Sequence, residues 1–184
     1  MRIELKILDK ELYPTIRRMA GQCEFPDTVG LPYFATDGSC AMDLRSAEEV
    51  ELQPGERKKI KTGIAIWTGS KCKSCRKKNN KHGMAALILP RSGLGTQGLV
   101  LANTVGLIDE DYQGELILSV WNSAKPNGFG PNVTGTENTF LVDRGDRIAQ
   151  LMFIPCIKPN WKVVEEFSNG TKRGKGGFGS TNKG

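Results

Sequence analysis

The chain has 184 residues, is 38% hydrophobic and 25% charged, and carries a formal net charge of +6. That is about one domain's worth, enough to bury a core without metal or disulfide staples. No apolar run reaches membrane-spanning length, and Met1-Arg2-Ile3-Glu4-Leu5-Lys6 alternates instead of forming a signal-peptide block, so an intracellular, cytoplasmic protein with no membrane partner is expected. The 5 cysteines are scattered and odd in number, which argues for reduced thiols over a secreted disulfide framework. Positive charge suits an anionic partner. The densest basic run, Lys71-Cys72-Lys73-Ser74-Cys75-Arg76-Lys77-Lys78, has no aromatic among its cations, so it reads as a solvated loop and nucleic acid is not the expected ligand.

Taken in chain order, Ile3, Leu5 and Ile7 alternate as a half-buried strand. Tyr13 to Ala20 suits a brief helix with Pro14 in its first turn. Ile60, Thr62, Ile64 and Ile66 alternate again, and further strand-like runs cover Met84 to Leu89, Leu116 to Trp121 and Ile148 to Ile154. Pro54-Gly55, Gly93-Leu94-Gly95 and Arg144-Gly145-Asp146 supply turn signals, while Leu94 to Ala102 is ambiguous. Many short strands with Gly/Pro turns predict an all-β fold with little helix, an antiparallel sandwich or jelly roll. Residues 68–83, rich in Lys, Asn and Ser, and 124–139, rich in Gly, Pro and Asn, read as long loops grafted onto that framework. Beyond Glu166 the composition turns to Gly, Lys, Asn and Ser, which divides the chain into a core over 1–167 and a Gly-rich mobile arm over 168–184.

Several segments carry residues suited to chemistry. Asp43, between apolar Met42 and Leu44 in a stretch flanked by apparent strands, either satisfies local amides or reaches a cation or metal. Pro90-Arg91-Ser92-Gly93-Leu94-Gly95 puts a cation, a hydroxyl and free amides after a strand, which suits a phosphate, although alone it also reads as a plain turn. In Asn103-Thr104-Val105-Gly106-Leu107-Ile108-Asp109-Glu110-Asp111-Tyr112-Gln113-Gly114, glycines bracket an acidic cluster and a tyrosine within a hairpin-length stretch. Gln150 interrupts the apolar run after Arg144-Gly145-Asp146-Arg147, and a polar residue there needs a partner, of which a ligand is one. At the end, Arg173-Gly174-Lys175-Gly176-Gly177-Phe178-Gly179-Ser180-Thr181 is either a loose terminus or a backbone cradle for phosphates with an aromatic ring to stack on a base.

These five segments, in this order, resemble the motifs of the homotrimeric dUTP pyrophosphatase (dUTPase) family, and the likeness extends through Thr62-Gly63-Ile64-Ala65-Ile66 and Leu116-Ile117-Leu118-Ser119-Val120-Trp121-Asn122. The resemblance implies a jelly-roll-like β-barrel or sandwich and hydrolysis of dUTP to dUMP and pyrophosphate, which limits uracil in DNA and supplies dUMP for thymidylate synthesis. Asp109 then matches the general base, and Arg91, Ser92, Gly93 and Gln150 match the phosphate ligands. Asp43 matches the acid that supports Mg2+ through a water, the ion being held mainly by the substrate phosphates. Gly106 and Leu107, with Asn103 in support, would read uracil, and Tyr112 would lie under the deoxyribose. Phe178 would cover the base while Arg173, Gly179, Ser180 and Thr181 surround the γ-phosphate. In this family one site draws on three chains, so a homotrimer with shared active sites is implied.

The chain also departs from the pattern. Lys172 stands before Arg173 where relatives often carry an acidic or small residue. Cys72 and Cys75, with His82 beyond them and Cys23 or Cys40 as a fourth ligand, are compatible with zinc, but the spacing fits no standard site and two free thiols in a loop are the preferred reading. The extra loops suit a protein partner and hint at a viral or phage source, while 14–30 has no derivable role. Two rivals accompany the dUTPase reading: a regulatory nucleotide-binding protein acting through those loops, and an enzyme resembling dCTP deaminase.

Overall fold

A computed structural model describes residues 3–13, 31–69, 82–125 and 138–176. Two four-stranded antiparallel sheets share one core. The first consists, in spatial order, of β1 (Glu4–Ile7), β4 (Arg57–Trp67), β8 (Glu115–Asn122) and β6 (Leu99–Leu101). The second consists, again in spatial order, of β2 (Met42–Arg45), β10 (Arg147–Ile157), β5 (His82–Pro90) and β7 (Gly106–Ile108). A small ribbon pairs β3 (Val50–Leu52) with β9 (Phe140–Val142), and a single helix among the described residues, α1 (Ser92–Gln97), follows β5.

Alternation explains the long strands. In β4, Ile60, Thr62 and Ile64 are fully buried and Ile66 is nearly so, facing Leu116, Leu118 and Val120 of β8 in one cluster with Leu44, Ile88 and Leu151 of the opposite sheet. Burial of such side chains contributes roughly 1.5–3 kcal/mol each. Thr62 is tolerated there because its hydroxyl donates to Leu116 O at 2.7 Å. The β4–β8 register shifts between Lys61 and Ala65, and Gly63 lies in that shift at φ +70°. A Cβ on Gly63 would stand 2.6 Å from the Cβ of Asp9, so both conformation and space require glycine.

Several expectations need correction. Ala41 to Ser46, read as lying between strands, contains β2 itself; it is short, but β10 supplies its hydrogen-bonded partner. The ambiguous stretch from Leu94 to Ala102 divides into the end of α1, a left-handed Gly98 at φ 109° and β6. Leu5 does not share the partial burial of Ile3 and Ile7 and stays 37% exposed on the edge strand β1. Asn103 to Gly114 is not a two-stranded hairpin. β6 pairs with β8 and β7 with β5, so the turn between them crosses from one sheet to the other.

Buried Asn122 joins the described residues on either side of 126–137. Its Nδ2 donates to Leu52 O at 3.0 Å and Asn138 O at 2.9 Å, its Oδ1 accepts from Ala124 N at 3.0 Å, and Asn138 Nδ2 donates to Lys125 O. Residues 70–81 and 126–137, on which the partner expectation falls, lie outside the described residues, as does all of the expected 13–20 helix except Tyr13. Beyond β10 every described residue from Lys158 to Lys175 is exposed, including Trp161 at 90%, Val163 at 96% and Phe167 at 91%. No helix among the described residues is long and apolar enough to cross a membrane.

Candidate active site

The outward face of the β2-β10-β5-β7 sheet carries two groups of candidate residues. In the first, Asp43 on β2 stands directly opposite Gln150 on β10, which stands opposite Leu89 on β5. Directly paired residues project from one face, so acid and amide are neighbours. Arg91 emerges just past β5, with Nε 2.9 Å from Asp43 Oδ1 as an ion pair whose contact is off the line of a directed hydrogen bond. Its Nη1 donates to Arg147 O at 3.0 Å. Arg147 in turn places Nη1 3.4 Å from Asp43 Oδ2. One carboxylate thus sits between two guanidiniums, and the cations retain donors for an anion from outside.

Arg147 was not singled out in the sequence. Strict alternation from Gln150 puts residue 147 on the inner face, together with Ala149. A register shift between Arg147 and Ala149 adds one residue to β10 against β2, and both Ile148 and Ala149 are buried. That bulge turns Arg147 back to the outer face with Asp43. Two adjacent apolar residues, Ile148-Ala149, at the start of a strand were the signal available for it. The preceding turn is pinned independently: Arg45 Nη1 donates to Gly145 O at 2.7 Å, and Arg144 Nη2 reaches both Asp9 oxygens at 2.7 and 2.6 Å. The Leu12 amide first, and the Arg144 guanidinium second, hold the Asp9 carboxyl below its ordinary range.

Ser92 and Gly93 open α1, which has no side-chain cap and no acid in its first turn, while a Cβ on Gly93 would meet open space. The backbone amides at such a start have no intrahelical acceptor.

The second group lies at the other end of the same sheet. Thr104 takes φ 61° and Val105 N bonds Asn103 O at 2.7 Å, forming the turn that enters β7. Gly106 packs so closely on Ile88 that a Cβ would lie 3.1 Å from the Ile88 Cβ, and Leu107 points outward, 60% exposed. Asp109 follows β7, and Tyr112 N bonds Asp109 O at 3.2 Å. Tyr112 is 41% exposed and its hydroxyl donates to Glu115 O at 2.9 Å. Asp109, Glu110, Asp111, Met84, Ala85, Cys156 and Lys158 line a cavity of about 280 Å³.

Within one chain these two groups stay apart. Three strand spacings and several residues of β5 separate Asp109 from Asp43, on the order of 20 Å. Reacting groups must approach to about 3–3.5 Å. Arg173 joins neither group; its Nε donates to Gly176 O at 2.9 Å within its own exposed turn. Phe178, Gly179, Ser180 and Thr181 lie outside the described residues, as do Cys23, Cys72 and Cys75 of the zinc alternative, while Cys40 and Cys156 are free thiols. No group of three His, Cys, Asp or Glu side chains suited to a metal occurs among the described residues.

The sequence profile of the dUTPase family matches residues 27–182. The chain belongs to the dUTPase family. It is 43% identical over 185 aligned positions to the deoxyuridine 5'-triphosphate nucleotidohydrolase of Haemophilus influenzae strain PittEE, covering 99% of this chain and 98% of that protein. The enzyme of the same name from Acinetobacter baylyi is 42% identical, with 98% of each chain covered. Among solved structures, the Staphylococcus bacteriophage 80alpha dUTPase with dUPNHPP superposes with a TM-score of 0.73 at 25% identity, covering 99% of both chains. A mutant dUTPase from phage phi11 of S. aureus, described for its coordination of a structural Mg(II) ion, gives 0.65 at 26% identity, covering 91% of this chain and 99% of that one. The jelly-roll-like, nearly all-β fold expected from the sequence is the fold this chain shares with these dUTPases. Names among the relatives favour the hydrolase over the deaminase-like alternative.

Proposed function

We infer that this dUTPase-family hydrolase converts dUTP to dUMP and pyrophosphate in sites completed between copies of the chain. The observation that carries the shared-site reading is the separation of Asp109 from the Arg91–Asp43–Gln150 group on one sheet face. A second copy bringing its Asp109 end against that group would assemble what one chain holds in halves. The exposed apolar residues of 157–167 fit a segment that leaves its own core to lie on another subunit.

In this reading Asp109 accepts a proton from a water whose oxygen attacks the α-phosphorus. The bond from that phosphorus to the bridging oxygen breaks, and pyrophosphate departs. Arg91, Gln150, the Ser92 and Gly93 backbone and, added by the structure, Arg147 hold the phosphates by charge-assisted hydrogen bonds. Gly106 and Leu107, with Asn103, offer backbone groups to uracil; a cytosine would leave them unpaired. Tyr112 supports the sugar, and Arg173 with Phe178, Gly179, Ser180 and Thr181 would close over base and γ-phosphate.

Mg2+ fits this donor set in one way. Both Asp43 oxygens already face guanidiniums, which leaves the carboxylate suited to a water of the ion and not to direct ligation. When bound to the triphosphate, the ion supplies charge neutralisation and orientation.

Pyrophosphate release measured with dUTP, dCTP, dTTP and UTP, with and without magnesium, tests the activity; turnover of dCTP or UTP equal to dUTP would overturn the selectivity. The shared site has its own test. Asp109→Asn and Arg91→Ala chains, each inactive alone, should regain activity when unfolded and refolded together, because mixed assemblies contain sites with both residues intact. No recovery in demonstrably mixed assemblies would place each site within one chain.

A further inference from the structure

Glu110 follows the residue assigned above as base, and its carboxylate occupies a gap in β5. A Cβ on Gly83 would lie 2.1 Å from Glu110 Oε2 and 2.9 Å from its Cδ, distances that real Cβ contacts do not reach. Gly83 pairs with Cys156 of β10, and Lys158 comes just after that strand ends. The bare position therefore lets a side chain from the β7 side of β5 cross to one from the β10 side. Glu110 and Lys158 meet there as an ion pair. The Glu110 hydrogen bond holds the Lys158 ammonium above its ordinary range.

A second glycine backs the same residue. A Cβ on Gly69 would stand 2.9 Å from Glu110 O and 2.7 Å from Trp67 Nε1, so nothing larger fits against the Glu110 backbone. Thr68 Oγ1 donates to Met84 O at 2.9 Å and ties the two glycine-bearing segments together. The Glu110 carboxylate is thus paired with Lys158 in the space that Gly83 leaves, and its carbonyl lies against Gly69.

We propose that Glu110 and Lys158 are positioning residues for the hydrolysis: their pair, seated in the gap at Gly83 and backed by Gly69, sets the backbone of the turn that presents Asp109. The inference rests on Asp109 being the base. Lys158 is 53% exposed, so the pair adds little to folding. Its leverage lies in placement, since a displacement of about 1 Å at a reacting group lowers rate sharply.

Steady-state kcat and KM for dUTP, with Tm, should be measured for Lys158→Met, Gly83→Ala, their combination and Lys158→Arg. Gly83 is outside the left-handed region, so alanine is compatible with its backbone and acts by expelling the Glu110 carboxylate. Lys158→Met and Gly83→Ala should each lower kcat about three- to tenfold with KM within about twofold. The combination should be no worse than either alone, because both remove one contact, and Lys158→Arg should restore most of kcat. Unchanged kcat in both single variants overturns the proposal. So does a loss that follows Tm, adds in the combination or resists Lys158→Arg. Asp109→Asn run alongside separates the two levels: if it turns over normally, the base assignment and the proposal both fall; if it is inactive while Lys158→Met is normal, only the pair's role falls.

Discussion

The end of this sheet face proposed to hold phosphate and the end proposed to hold the base are kept in place by different means. At the first end, Asp43, Gln150 and Leu89 lie in one register row across three hydrogen-bonded strands, and a bulge brings Arg147, paired with Arg45, to the same face. The ladder sets the position of Asp43, Gln150 and Arg147, and the ion pairs orient side chains already in place, while Arg91 follows the last paired residue of β5. At the other end, Asp109 lies beyond the last paired residue of β7, where Tyr112 N bonds its carbonyl and the neighbouring Glu110 pairs with Lys158. A ladder tolerates side-chain loss without moving its backbone. A turn held by side chains does not.

Asp109→Asn should produce the largest effect at either end, a fall in dUTP turnover of about 10²- to 10⁴-fold with nucleotide binding retained by calorimetry. Turnover near the native rate would remove the contrast by removing the base. Arg147→Leu comes next: it deletes a cation at the phosphate end but leaves its backbone carbonyl for Arg91, so kcat/KM should fall about 10- to 100-fold with Tm unchanged. If Tm drops as well, that end is not held by the ladder alone. The smallest effect belongs to Asp9→Asn, which loosens the turn before Arg147. The folded carboxyl of Asp9 is held below its ordinary 3.8, so its contribution is present above that value and lost as pH falls through the folded one. The variant should lower Tm by on the order of 1 °C near neutrality and show a flatter decline below pH 4, as read by thermal melts across pH.

What the sequence revealed follows the same division. Period-two patterns in β4, β8 and β10 were legible because each strand buries one face along many residues, and the all-β architecture followed. β3 and β9 were not, since 3 residues hold too few alternations to register. The crossing between β6 and β7 was hidden for another reason: the local pattern says that a strand forms, not which strand it pairs with. Arg147 was concealed by a bulge that reverses alternation. The roles given to Asp43, Arg91, Asp109 and Tyr112 came from motif resemblance, because no composition or spacing in one chain shows whether residues far apart on one subunit serve one site.

The Asn122 amide has a consequence for how this protein tolerates change. Its bonds to Leu52, Ala124 and Asn138, with that from Asn138 to Lys125, join the two ends that flank residues 126–137. Length added between those ends leaves the junction intact, and doubling the length of a flexible connection costs only about 0.6 kcal/mol in closure entropy. The segment is therefore a place to graft an epitope or fluorophore tag.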